Sequence, residues 1–165
     1  MYRYARLASV FAVVCLCVVP VLASSTGTSK DAAPGVDARI IKTITGAELN
    51  DILTEAGYPG GKVDDDGDVF IKIEDRAVYF LIANNKDSIQ AKAAWRTSDT
   101  SRPSIEKLNN WNRTKRYSKA YYDSERDPVL QLDLDLAGGI TVARIKDFAL
   151  TVRASVRAFA DEVLQ

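Results

Sequence analysis

Acidic residues supply the first candidates for chemistry. Asp64, Asp66 and Asp68 alternate as they do in the first half of an EF-hand calcium loop. That loop also needs glycine at its sixth position and glutamate at its twelfth, where this chain has Val69 and Asp75, so the cluster reads as a solvated turn between strands. Asp133 and Asp135 are two strand rises apart, about 7 Å, a separation at which carboxylates act in glycosidases. Glycosidase acids, however, project from separate elements across a cleft, and two acids alternating along one strand are also what a solvated face requires. Ser104 and Lys107 share the S-x-x-K spacing that sets a nucleophile beside its base in penicillin-binding enzymes, but the companion S-D-N and K-T-G elements are absent and helix capping accounts for the serine.

Arg113, Lys115 and Arg116 run into Tyr117, Tyr121 and Tyr122, a mixture of cations and aromatics that suits a nucleic-acid surface. The same cations also complement the negative end of a helix, with Asp123, Glu125 and Asp127 close by to offset them. Asn112-Arg113-Thr114 is a glycosylation sequon, which an inward-facing asparagine would not offer. The chain has no histidine, and both of its cysteines, Cys15 and Cys17, lie near the start. The commonest general base, metal ligand and thiol nucleophile are therefore missing from the rest of the chain, which favours binding over catalysis. No catalytic, cofactor-binding or metal-ligating residue is assigned. The alternative is a small hydrolase or metal-dependent enzyme using the acidic clusters.

The elements that position these residues begin after an N-terminal segment of a different kind. Arg3 and Arg6 precede an apolar run from Leu7 to Val19, and Val21-Leu22-Ala23 follows Pro20. This order marks a Sec-type signal peptide over residues 1–23, cleaved after Ala23, because the run falls short of the roughly twenty residues of a spanning helix. The expected location is periplasmic or secreted, with no stable membrane span after cleavage. Without Arg3 and Arg6 the 22 basic residues fall to 20 against 22 acidic ones, a balance that excludes a general nucleic-acid footprint. Residues 24–39 are small and polar and read as a flexible linker, and residues 40–165 are long enough for one domain that packs without disulfides.

Thr45-Gly-Ala-Glu48 has the form of a capping box, Leu49, Ile52 and Leu53 recur at helical spacing, and Gly57 stops the chain, which predicts a helix over 46–56. Val69, Ile71 and Ile73 alternate as a strand, Ala77 to Ala83 is apolar at both parities as in a central strand, and Ile89 to Trp95 alternates again. A second helix opens at Arg102-Pro103-Ser104, where turning each residue by 100° puts Ile105, Leu108 and Trp111 on the core side with Asn112 between them. An amide placed there must be satisfied, so Asn112 is expected to lock the helix to neighbouring backbone. Residues 118–123 and 129–136 form a hairpin around Arg126-Asp127-Pro128, with Leu130, Leu132, Leu134 and Leu136 inward and Gln131, Asp133 and Asp135 in water. Gly138-Gly139 leads into the longest helix, about 140–164, whose apolar stripe covers the sheet or forms a dimer seam.

The resulting layout is α+β, α-β-β-β-α-β-β-α, with helices packed on an antiparallel sheet. The stretches TGAELNDILTEAGY, LNNWNRTKRYSKAYYD and LQLDLDLAGG, followed by the long terminal helix, resemble the YbjN-domain family of bacterial sensory transduction regulators from about Thr43 to Leu164. The positions that carry the resemblance as a structural signature are Trp111, Asn112, Arg113, Tyr117, Asp135, Gly138 and Gly139. The resemblance implies a fold similar to type III secretion chaperones, a protein or peptide partner, a possible homodimer, and neither catalytic residues nor cofactor. With the export signal, the expected function is an exported, non-enzymatic binding or regulatory module of the bacterial envelope.

Overall fold

The computed structural model describes residues 36–165. The signal peptide, its cleavage point, both cysteines and linker residues 24–35 lie outside the described residues. A single turn of 3-10 helix at Val36–Ala38 leads into β1 (Ile40–Ile41), α1 (Gly46–Glu55), β2 (Lys62–Val63), β3 (Val69–Ile73), β4 (Arg76–Ile82) and β5 (Ser88–Ala94). There follow α2 (Ile105–Thr114), β6 (Lys119–Tyr122), β7 (Pro128–Asp135), β8 (Ile140–Thr141) and α3 (Val142–Glu162). Six strands form one antiparallel sheet in the order β2-β3-β4-β5-β7-β6, and β1 pairs with β8 in a separate ribbon. Among the described residues the arrangement is α+β, with three α-helices packed on antiparallel sheet.

Helix boundaries follow local chemistry. Thr45 Oγ1 accepts from the Glu48 N–H at 3.3 Å, but the Glu48 carboxylate turns to Arg39 at 2.7 Å, so the expected capping box is half made. Gly57, at φ +92°, ends α1 while the Tyr58 N–H reaches Leu53 O and the Gly57 N–H reaches Thr54 O, the paired bonds of a Schellman stop. Ser104 Oγ and Thr141 Oγ1 cap α2 and α3 through the N–H groups of Lys107 and Arg144.

The core lies between one sheet face and α3. Val69, Ile71, Val78, Phe80, Ile89, Leu130 and Leu132 meet Phe148, Val152, Val156 and Phe159, all buried. Phe159 sits 4.9 Å from the Trp95 ring and 5.1 Å from the Trp111 ring, so two other chain segments converge on this one aromatic of α3. Each such fully buried side chain contributes on the order of 1.5–3 kcal/mol. Lys146 bridges Asp37 at 2.6 Å and Glu55 at 3.2 Å, holding the N-terminal turn to α1 and α3.

Several sequence expectations change. Residues 36–39, read as linker, are structured: the Arg39 carbonyl accepts from the Val142 N–H. Three two-residue strands appear that no periodicity could reveal, since alternation needs more residues than they have. Ile105 is 49% exposed, because only the turn from Leu108 to Trp111 meets the core, whereas an angular projection treats the whole helix as facing it. Asn112 is exposed, not inward, although its locking role is realised. Gln131 is buried instead of wet, enclosed by hydrogen bonds from and to its neighbours. β4 is paired on both edges, by β3 and β5, while its second face is left uncovered.

Candidate partner-binding face

The uncovered sheet face is built by the parity opposite to the core. Register aligns Phe70, Tyr79, Lys92, Gln131 and Lys119 in a row across β3, β4, β5, β7 and β6. The next row holds Lys72, Ala77, Ala94, Val129 and Tyr121. Large rings thus stand over small residues, and between them lies a depression of about 320 Å³ lined by Tyr79, Leu81, Lys92, Ala94, Tyr121 and Val129 among others. Phe70 and Tyr79 pack at 5.1 Å on one side, with Tyr79 45% exposed. A second depression of about 330 Å³ adjoins it through Leu81 and is lined by Gln90, Asp133 and Asp135.

A fixed polar ladder borders these depressions. The Tyr121 hydroxyl donates to Gln131 Oε1 at 2.9 Å, and Gln131 Nε2 donates to both Asp133 oxygens at 3.0 and 3.1 Å. Gln90 Nε2 donates to Asp133 Oδ1 at 2.6 Å from the next strand. Burial, then the Asp133 and Asp123 carboxylates, push the Tyr121 hydroxyl above the ordinary tyrosine range, which keeps it a donor. Lys92 has no ion pair among the described residues, and its ammonium stands free for a partner group. The face therefore combines apolar contact area with oriented donors and acceptors, the composition of a recognition surface.

The residues singled out from sequence fall into two groups. Trp111 is buried and donates from Nε1 to Ser118 Oγ at 3.1 Å. Asn112 donates to the Ala120 carbonyl at 2.9 Å and accepts from the Ala120 N–H at 2.7 Å, so one amide satisfies both groups of an edge-strand residue. That occupies the Ala120 groups that a strand from another chain would otherwise pair with. Arg113 bonds Asn110 Oδ1, and Tyr117 stands 73% exposed at φ +66°. The second group is the β7 exit: Asp135 Oδ1 accepts from the Ala137 N–H at 2.7 Å, and Gly138 and Gly139 turn the chain at φ +82° and +95°. Both groups shape turns, and neither lines the two depressions except for Asp135.

The acids behave likewise. Asp64 Oδ1 accepts from the N–H groups of Asp66 and Asp68, and Asp68 Oδ1 accepts from the Ile82 N–H at 2.7 Å. Asp127 accepts from the Thr97 N–H, and Asp123 from its own turn, so the acids expected to offset the basic run do not; Glu162 on α3 takes Lys115 at 2.5 Å. Sequence reading missed Tyr79 and Lys92 as face residues. The available signal was the double-parity apolar pattern of 77–83, which marks a face awaiting cover.

A family model, YbjN, described as "Putative bacterial sensory transduction regulator", matches residues 45–165. The chain belongs to the YbjN family. YbjN from E. coli shares the fold at a TM-score of 0.56 and 16% identity, over 77% of this chain and 99% of that one. The ExsC–ExsE complex gives a TM-score of 0.51 at 15% identity over 72% and 92% of the two chains. The HopA1–SchA chaperone–effector complex gives 0.50 at 11% identity over 68% and 90%. The fold of this chain is thus shared with YbjN from E. coli and with a chain of a chaperone–effector complex. No curated protein matches the sequence.

Proposed function

We propose that this YbjN-family chain is an exported, non-enzymatic binding and regulatory module of the bacterial envelope, taking a protein or peptide segment on the outer face of its sheet. The observation that carries the reading is the uncovered face itself, where Tyr79, Leu81, Val129 and Tyr121 line an apolar depression beside the free Lys92. Support also comes from the fold, since two neighbours that share it were solved as complexes, one of them chaperone with effector. The acid pairs support a binding role because Asp133 is taken up by Gln90 and Gln131 and Asp135 by the following turn. A homodimer belongs to the same reading, with a doubled mass in light scattering as its check.

Affinity capture from cell envelopes tests it. The expected outcome is a defined partner retained by wild type and lost with Tyr79→Ser or Lys92→Glu, both with unchanged melting temperature. Turnover of a substrate that disappears with Asp133→Asn would overturn the reading.

A further inference from the structure

On the other side of the molecule, the outward surface of α3 meets the turn between α2 and β6. Ala154 and Ala158 form a low ridge shared by two adjoining depressions of about 430 and 340 Å³. Leu150, 54% exposed, borders one, and Tyr117, 73% exposed, borders the other. Four cations line the pair, Arg153, Arg157, Lys115 and Arg116, against the two acids Asp161 and Glu162. Glu74 holds Arg153 and Glu162 holds Lys115, while Arg116 and Arg157 have no ion pair among the described residues. The surface is therefore apolar along its floor and positive on the Lys115–Arg116 side, while on the other side Arg153 and Arg157 stand against Asp161 and Glu162.

We propose that this face docks an acidic amphipathic helix of a partner protein, distinct from the segment held by the sheet. The two arginines would take its carboxylates, and its apolar stripe would lie over Ala154 and Ala158 between Leu150 and Tyr117. A helix is the form that fits, because the α3 backbone groups are already bonded within the helix and offer an extended segment nothing to pair with. Alanines at i and i+4 let a second helix approach at the short end of the usual 8–10 Å. Tyr117 adds a second observation. A bulky side chain at φ +66° costs on the order of 1 kcal/mol relative to glycine, yet this one contributes almost no burial in return. Folding gains nothing from the ring there, and a docked helix would.

The test is a display selection of helix-forming 20-residue peptides on the full chain. Enriched sequences should carry apolar residues at helical spacing flanked by Asp and Glu. Tyr117→Gly and Arg157→Glu should each weaken the selected peptides about tenfold or more. Tyr117→Gly should keep the melting temperature, because glycine suits the left-handed backbone, and Tyr79→Ser on the sheet face should leave peptide affinity unchanged. The proposal is overturned by absence of enrichment, by basic consensus sequences, or by peptides indifferent to Tyr117→Gly and Arg157→Glu. Self-association lost with Tyr117→Gly, or preferential binding of vesicles containing phosphatidylglycerol over the peptides, would likewise overturn it.

Discussion

Asn112 shows how much one side chain can fix. Its amide replaces a missing strand by pairing with both backbone groups of Ala120, so truncation leaves two polar groups at the sheet edge without their partner. Asn112→Ala should cost about 1–3 kcal/mol in urea denaturation, with sheet-face binding retained in the folded fraction. A melt like wild type accompanied by lost binding would assign Asn112 to recognition instead. Tyr121 makes a prediction in pH. Its folded proton affinity is raised above that of an ordinary tyrosine, about 10, so the stability it contributes is fully present below that value and declines as pH climbs past it. Tyr121→Phe should flatten the alkaline limb of the stability profile above pH 10 relative to wild type, measured by thermal melts across buffers. The need for a bonded Asn112 was legible in the sequence, but its direction was not, because a helical projection gives angle without saying where the neighbouring strand stands.

At the scale of elements, the β1–β8 ribbon depends on the Gly138-Gly139 turn. A Cβ at Gly139 would come within 2.6 Å of Ile40 Cγ2, and the residue already holds φ +95°. Gly139→Ala should therefore destabilise by about 1–3 kcal/mol and speed amide exchange at Ile41 and Thr141 ahead of the six-stranded sheet. Exchange that accelerates uniformly would show that the ribbon unfolds only with the whole domain. The major elements were readable because their apolar periods of 3.6 and 2 run for many residues. β1, β2 and β8 were unreadable because two residues carry no period and their pairing is decided by distant partners, as Ile41 with Ile140.

For the whole molecule, the sheet has one face under α3 and one left open, and function is proposed for the open one. The long helix is accounted for on its inner side by Phe148, Val152, Val156 and Phe159 against the sheet, which leaves only its outward stripe for other uses. Export is the remaining expectation at this scale. Cell fractionation should recover the protein with the envelope or medium beginning at Ser24, as read by N-terminal sequencing. Recovery in the cytoplasm with residues 1–23 intact would remove the envelope from the proposed role.

The sequence by itself determined the α+β class, the extents of the main helices and strands to within a few residues, and most of the apolar core, since these follow from capping chemistry and hydrophobic periodicity along a continuous stretch. It also carried a resemblance to the YbjN family, which the family model over residues 45–165 bears out. Only the tertiary structure decided which apolar face stays uncovered, that Gln131 is buried and Ile105 is not, and that Arg116 comes to share a groove with Arg157. Those outcomes depend on strand order and on where each helix lies, which are set by contacts between residues far apart in the chain and therefore leave no local pattern to read.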